Sequence, residues 1–201
     1  KFADFFKKCY TCNDATRATA LAREYDALRE GYCGLPMPEI SDFDVELVSK
    51  VIQELKYGKA PGIDGLSAEH ILYAHPTVVI VLSKLFALIA ECCFVPDGFR
   101  YNYIVPQPKT TGRSKKLTCN DFRGIAIAPV ISKIFELCIL KRFSAYFVSN
   151  DNQFGFKKGL GCNHAIYSIR KIVEKMLSGS STANLCSIDL SKAFDQVNHN
   201  A

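Results

Sequence analysis

A carboxylate that follows an apolar segment is the first candidate for chemistry in this sequence. Asp189 ends the run from 184 to 189, which predicts a short buried strand, and Leu190 comes next. Carboxylate oxygens are ligands that Mg²⁺ prefers, and a strand would fix the oxygen while the following turn leaves room for substrate phosphates. The structural alternative is that Asp189 caps a short helix starting at Leu190.

Positive charge is concentrated in one segment. Residues 98 to 120 contain no acid, and the chain as a whole has a net charge of +5. The basic residues of the segment are Arg100, Lys109, Arg113, Lys115 and Lys116. A localised basic patch suits nucleic acid or a triphosphate, and the alternative is a solvated loop with no partner.

Several other classes of site are not favoured. The glycine-rich segment 155 to 161 fits neither common phosphate-loop pattern and predicts a turn. The nine cysteines are odd in number and scattered, and several lie in apolar runs, which indicates reduced core thiols in an intracellular protein. Lys84 and Glu91 interrupt the longest apolar run, so it predicts a buried helix with a polar stripe and no membrane span.

The apolar spacing predicts an α+β fold. Helices are expected over 13–31, from about 41 to 57 with a capping box at Ser41 and Asp44, in short segments through 73, and over 77–94, 131–148 and 162–177. Strands are expected over 101–105, 123–128 and 184–189, the first two forming a hairpin with a basic loop at its tip. This order favours a mixed, largely antiparallel sheet with packed helices over a doubly wound fold.

Five sequence blocks follow one another in a fixed order. The first, Lys56 to Leu66, has the pattern K-x-G-K-A-P-G-x-D-G. The others are Tyr103 to Lys109, Asp121 to Ile127, Gln153 to Gly159 and Ser187 to Asp195. The blocks and their order resemble the reverse transcriptases of LINE-type, non-LTR retrotransposons. The resemblance implies a right-hand polymerase with its fingers and the start of its palm in residues 56–201, after a helical extension in residues 1–55.

The resemblance also implies roles for particular residues. Asp189 would be the first metal-binding aspartate, beside the Leu190 carbonyl, and Phe194 would disfavour a 2′-hydroxyl on the incoming nucleotide. Lys109 and Arg123 match the positions in the fingers that bind the triphosphate. The template path would include Lys59, Arg113, Lys115 and Lys116. Each could instead be an ordinary core or surface residue.

The sequence departs from the family's pattern in one important respect. It contains no Asp-Asp pair, whereas two-metal catalysis needs carboxylates converging from separate strands. Asp195 lies six residues after Asp189 and is expected to be structural. Residues 1–201 alone are therefore expected to be inactive, and primer extension by this chain would refute that.

For the whole protein, the resemblance implies an RNA-directed DNA polymerase. It would use two Mg²⁺ ions, an RNA template, a DNA primer and deoxynucleotides, would be fused to an endonuclease, and would act in the nucleus. Two alternatives stay open: an intron maturase with the same fold, and a non-catalytic RNA-binding relic.

Overall fold

The structure, a computed structural model, describes residues 1–11, 14–31, 43–109, 117–190, 193, 195 and 197–198. It divides into two compact units. The first comprises residues 1–143 and the described residues beyond 191, and the second comprises residues 144–191.

The first unit combines six helices and a hairpin within the described residues. The elements are α1 (Phe2–Tyr10), α2 (Ala15–Glu30), α3 (Val45–Gln53), α4 (Ala68–Leu72), α5 (Thr77–Cys92), β1 (Tyr103–Pro108), β2 (Phe122–Ile127) and α6 (Val130–Arg142). The two strands pair antiparallel. The predicted α+β class and the predicted hairpin are therefore confirmed.

The beginning of α3 differs from the prediction. Asp44, not Ser41, is the N-cap, and its carboxylate accepts a hydrogen bond of 2.7 Å from the Leu47 N–H. Phe43 precedes the cap and is buried in the same core as Val48. An apolar residue before the cap that packs with the fourth residue of the helix fixes the direction in which the chain enters it. Ser41 lies outside the described residues.

Three phenylalanines hold α3, α5 and α6 together. The ring centroids of Phe43, Phe86 and Phe135 lie 5.2 to 6.4 Å apart, within the range of favourable aromatic pairs. Phe86 and Ile134 are fully buried among them. The core also receives Ala68 of α4, so it includes side chains from both sides of the predicted boundary between residues 55 and 56.

The two buried hydroxyls of the described core have partners. Ser83 of α5 donates a 2.6 Å hydrogen bond to the carbonyl of Phe43, and Ser132 of α6 donates a 2.8 Å hydrogen bond to the carbonyl of Pro129. Each bond satisfies a carbonyl next to a helix start. Burying these polar groups therefore carries no penalty for a missing hydrogen bond.

The central and later helices mostly follow the predictions. α5 coincides with the predicted apolar run. Lys84 is exposed and Phe86 is buried, as expected for a buried helix with one polar stripe. No helix among the described residues is long and apolar enough to cross a membrane. α6 ends at Arg142, so the prediction of a helix to residue 148 was wrong. Residues 144 to 146 instead form one turn of 3₁₀ helix.

The second unit is built on one amphipathic helix, α7 (Cys162–Ser178), close to its predicted bounds. None of its side chains is buried, and Ile166, Ile169 and Ile172 are all largely exposed. The predicted strand over 184–189 is absent: residues 181 to 190 have no regular structure. A strand requires a partner for its backbone groups, and in the part of the chain that is described only β1 and β2 pair.

The prediction of core thiols holds for Cys9 and Cys138. Both are buried, whereas Cys92, Cys162 and Cys186 are exposed. Burial raises the pKa of the Cys138 thiol to about 11. Cys138 is therefore a packing residue and not a reactive thiol.

The core assignment predicts a clear difference between two positions of α6. Ile134 is fully buried, whereas Leu140 is 51% exposed. Ile134→Ala should lower the free energy of unfolding by about 2–5 kcal/mol, because it removes buried methylenes and leaves a cavity. Leu140→Ala should change it by only about 0.5 kcal/mol. Urea titration followed by circular dichroism measures both, and equal effects would contradict the assignment.

Candidate nucleotide and nucleic-acid interface

The hairpin of β1 and β2 has one covered and one open face. Phe122 and Gly124 of β2 lie beneath α1, where the Phe2 and Phe122 rings meet edge to face at 4.8 Å. A methyl group on Gly124 would collide with the Tyr10 hydroxyl, so the residue must be small. Because side chains alternate along a strand, Arg123 points away from α1.

Lys109 and Arg123 belong to the open face. Arg123 is paired in register with Gln107, and the backbone N–H of Lys109 donates a 2.7 Å hydrogen bond to the Asp121 carbonyl, continuing the ladder. Both side chains are exposed. The Lys109 ammonium donates a 2.8 Å hydrogen bond to the Asn120 carbonyl, and no ion pair within the described ranges involves Arg123.

Asp121 is the last residue of the connection between β1 and β2. Its carboxylate accepts hydrogen bonds from the Thr118 N–H at 2.7 Å and from the Thr118 hydroxyl at 2.8 Å. These bonds fix the chain just before Arg123 enters β2. The sequence patterns did not identify Thr118 and Asp121 as a positioning pair. Arg113, Lys115 and Lys116, predicted in the same connection, lie outside the described residues, as does Phe194.

Asp189 and Leu190 lie in the second unit, in the segment without regular structure. Both are exposed, Leu190 by 72%. The prediction that Asp189 ends a buried strand was therefore wrong. The capping alternative is not seen either, since Leu190 is not helical. In the described part of the chain, no three His, Cys, Asp or Glu side chains gather as a metal site would require.

Asp195, expected to be structural, lies in the first unit near Tyr10. Burial raises the pKa of Tyr10, and the negative charge of Asp195 raises it further. The Tyr10 hydroxyl packs over Gly124. The structural role expected for Asp195 stays a prediction.

Residues 56–66, which follow α3 and contain three glycines, are anchored close to the end of β2; we call them the glycine block. A methyl group on Gly62 would lie 2.7 Å from the Pro129 Cα, so the two backbones touch at this point. Gly58 and Gly65 have positive φ angles of 67° and 73°, which glycine adopts without strain. The block therefore needs its glycines for two reasons, close approach and left-handed turns.

Carboxylates hold both ends of this block. Glu69 of α4 accepts a 2.5 Å hydrogen bond from the Gly58 N–H, and Asp64 accepts one of 3.1 Å from the Leu66 N–H. The hydrogen bond from Gly58 holds the pKa of Glu69 below its ordinary value. Sequence reasoning did not identify Glu69, because its partner lies eleven residues earlier in the chain.

Lys59 lines a cavity of about 290 Å³ between the glycine block, the end of α3 and the start of α6. Two further lysines, Lys56 and Lys133, line the same cavity, which we call the lysine cavity. Lys133 comes from α6, so only the fold brings it to Lys59. No pattern in the sequence could have joined the two.

Comparisons with known proteins identify relatives of this chain. No protein-family model matches it. It is 25% identical over 172 residues to a probable RNA-directed DNA polymerase from transposon X-element of Drosophila melanogaster, a match that covers 82% of the chain. It is 24% identical over 163 residues, 77% of the chain, to an RNA-directed DNA polymerase from the mobile element jockey of Drosophila funebris. The chain is a relative of the non-LTR retrotransposon reverse transcriptases.

The relationship to these reverse transcriptases confirms the family resemblance derived from the five sequence blocks. The chain spans 18% and 17% of the two curated relatives, so it corresponds to a small part of each. Within the chain, Lys59, Lys109 and Arg123 lie in the first unit, whereas Asp189 and Leu190 lie in the second. The individual roles of these residues stay predictions.

The contact of Gly62 predicts a steric effect on stability. Gly62→Ala should lower the free energy of unfolding by about 1–3 kcal/mol, because the added methyl meets backbone atoms that cannot rotate away. Gly98→Ala is the matched control, since nothing lies within 4 Å of a methyl group there. Urea titration of both variants checks this, and equal stabilities would refute the contact.

Proposed function

We propose that the whole protein is an RNA-directed DNA polymerase that adds deoxynucleotides to a DNA primer on an RNA template. The observation that supports this most directly is the match of about four-fifths of the chain to transposon proteins named for that activity. The proposal extends to the nuclear location and endonuclease fusion expected from the resemblance. It also keeps the division into an extension, residues 1–55, and a polymerase part, residues 56–201.

Lys109 and Arg123 are proposed to bind the triphosphate of the incoming nucleotide. The hairpin supports this role because it exposes both cations on the face that α1 leaves open. A guanidinium presents a planar fork to phosphate oxygens, and an ammonium adds a compact charge. Arg123 needs to break no ion pair with a described residue in order to receive an anion.

The template strand is proposed to contact Lys59, Arg113, Lys115 and Lys116. A copying enzyme must hold its template irrespective of sequence, and lysine and arginine do so through the phosphate backbone. The proposal is supported by the position of Lys59, which is exposed within an anchored loop. Phe194 is proposed to exclude nucleotides with a 2′-hydroxyl by the volume of its ring.

Asp189 and the Leu190 carbonyl are proposed as the first ligands of the catalytic metal ions. They are hard oxygen donors of the kind that Mg²⁺ takes, and Asp189 is exposed. They form only part of a ligand set, since a two-metal centre needs further carboxylates. When bound, Mg²⁺ supplies activation of the primer hydroxyl and neutralises the leaving pyrophosphate. We therefore also propose that residues 1–201 do not synthesise DNA alone.

Loss of the proposed metal ligand should greatly reduce DNA synthesis without weakening template binding. In the complete enzyme, Asp189→Asn should reduce primer extension by about 100-fold or more, because a direct metal ligand matters more than the outer partners of ligands, whose loss costs about 10- to 100-fold. Template affinity, measured by filter binding, should stay within about twofold, since Asp189 is assigned no template contact. Asp151→Asn, an exposed position of the same unit, is the matched control. Primer extension by Asp189→Asn within about tenfold of the wild type would refute the assignment.

Removal of the Arg123 charge should weaken nucleotide binding specifically. Arg123→Gln in the complete enzyme should raise KM for deoxynucleotides about 10- to 100-fold, the loss expected for one charge-assisted hydrogen bond. Arg100→Gln is the matched control, because Arg100 is also exposed but lies 3.5 Å from Asp97 and off the strands. Steady-state kinetics measure both. An unchanged KM in Arg123→Gln would remove the residue from the nucleotide site.

A further inference from the structure

The lysine cavity has an excess of positive charge. Its charged lining residues are Glu54, Lys56, Lys59 and Lys133. The Glu54 carboxylate lies 2.6 Å from the Lys141 ammonium and is neutralised by it. The three cavity lysines form no ion pair with any described residue. The site therefore favours an anionic group.

The floor of the lysine cavity is apolar. Leu55, Ala68 and Val130 line it and are 7%, 6% and 6% exposed. At about 290 Å³ the cavity lies just below the ~300–1,000 Å³ found for small-molecule pockets. An occupant therefore needs a single flat or apolar body as well as a negative charge. Inorganic phosphate alone would leave the apolar floor unused.

One exposed tyrosine, Tyr57, is next to a cavity residue in the chain, and Tyr73 is a second exposed tyrosine of the same unit. Tyr57 directly follows Lys56 and is 60% exposed, and Tyr73 follows α4 and is 78% exposed. The pKa of Tyr57 is raised above its ordinary value, and hydrogen bonding with Tyr73 is the largest cause. Exposed aromatic rings interleaved with lysines are typical of surfaces that bind unpaired bases. An acidic peptide would use the lysines but has no need of open rings.

We propose that the lysine cavity binds one unpaired nucleotide of single-stranded RNA. The base lies on the apolar floor, the flanking phosphates contact Lys56, Lys59 and Lys133, and a neighbouring base stacks on Tyr57. This inference rests on the proposed function in one respect, that RNA is the strand the protein holds. It adds to the proposed template path a site that captures a base.

The first test measures the charge contribution. A fluorescent single-stranded RNA of about 12 nucleotides is titrated with the 201-residue chain, and anisotropy is read at several salt concentrations. Lys56→Gln, Lys59→Gln and Lys133→Gln together should weaken binding at least tenfold and reduce the salt slope by about 2. The matched control replaces three exposed lysines outside the cavity, Lys50, Lys84 and Lys158, by Gln. Equal effects of the two triple variants would overturn the proposal.

The second test separates a pocket from a charged surface. Ala60→Leu adds apolar volume to the cavity lining without changing charge and should weaken RNA binding about tenfold, with the salt slope unchanged. Ala20→Leu, at an exposed position of α2, is the control. Circular dichroism of all variants verifies folding. Wild-type affinity in Ala60→Leu would show that no base enters the cavity and would overturn the proposal.

Competition then identifies the class of occupant. Unlabelled RNA should displace the probe from the wild-type chain more effectively than single-stranded DNA of the same sequence or poly-glutamate at equal charge. Preference for poly-glutamate would overturn the nucleotide assignment, and equal competition by DNA would overturn the choice of RNA. These assays measure binding by the chain alone. Their failure would leave the polymerase proposal standing, because that proposal depends on synthesis by the complete enzyme.

Discussion

Contact among Phe43, Phe86 and Phe135 fixes the positions of α3, α5 and α6, and the candidate interface depends on that arrangement. β2 runs into α6 with only Ala128 and Pro129 between them, so α6 determines where the hairpin ends. The same junction receives Gly62, whose backbone touches Pro129. The strand that contains Arg123 and the loop that contains Lys59 are thus positioned from one point of a closely packed core. Such a core resists small displacements, because its side chains interdigitate with few voids.

The two faces of the hairpin have opposite requirements. On the covered face Gly124 is small so that Phe6 and Tyr10 of α1 can approach the sheet. On the open face, Tyr103, Val105 and Ile125 remain 41% to 48% exposed around Arg123. Apolar side chains that stay open beside a cation suit a ligand with a flat ring and an anionic tail. A nucleotide has both parts, which is why the open face, and not the covered one, is the proposed nucleotide surface.

Local patterns predicted the elements whose stability is largely local or depends on one apolar face. The 3.6-residue spacing located α5 and α7 to within two residues, and alternation found the hairpin. The same reasoning overextended α6, because the apolar run continues through Phe147 and Val148 although those residues are exposed. Composition cannot distinguish an apolar residue that faces a core from one that does not. The predicted position of the N-cap was wrong for a related reason. Asp44 is the N-cap, and Phe43 before it is buried through tertiary contacts that the sequence pattern does not reveal.

The remaining discrepancy concerns Asp189 and has a physical cause. β-propensity describes how well a segment fits a sheet, but pairing itself comes from another strand. The segment 184–189 has the composition of a strand and no partner among the described residues, so its backbone N–H and C=O groups are open to pairing. A metal ligand must be held within about 0.5 Å of its working position. Asp189 would acquire that precision only when a neighbouring strand pairs with the segment. Formation of the sheet and formation of the metal site would then be one event, whereas Arg123 and Lys59 are already held by contacts within the first unit.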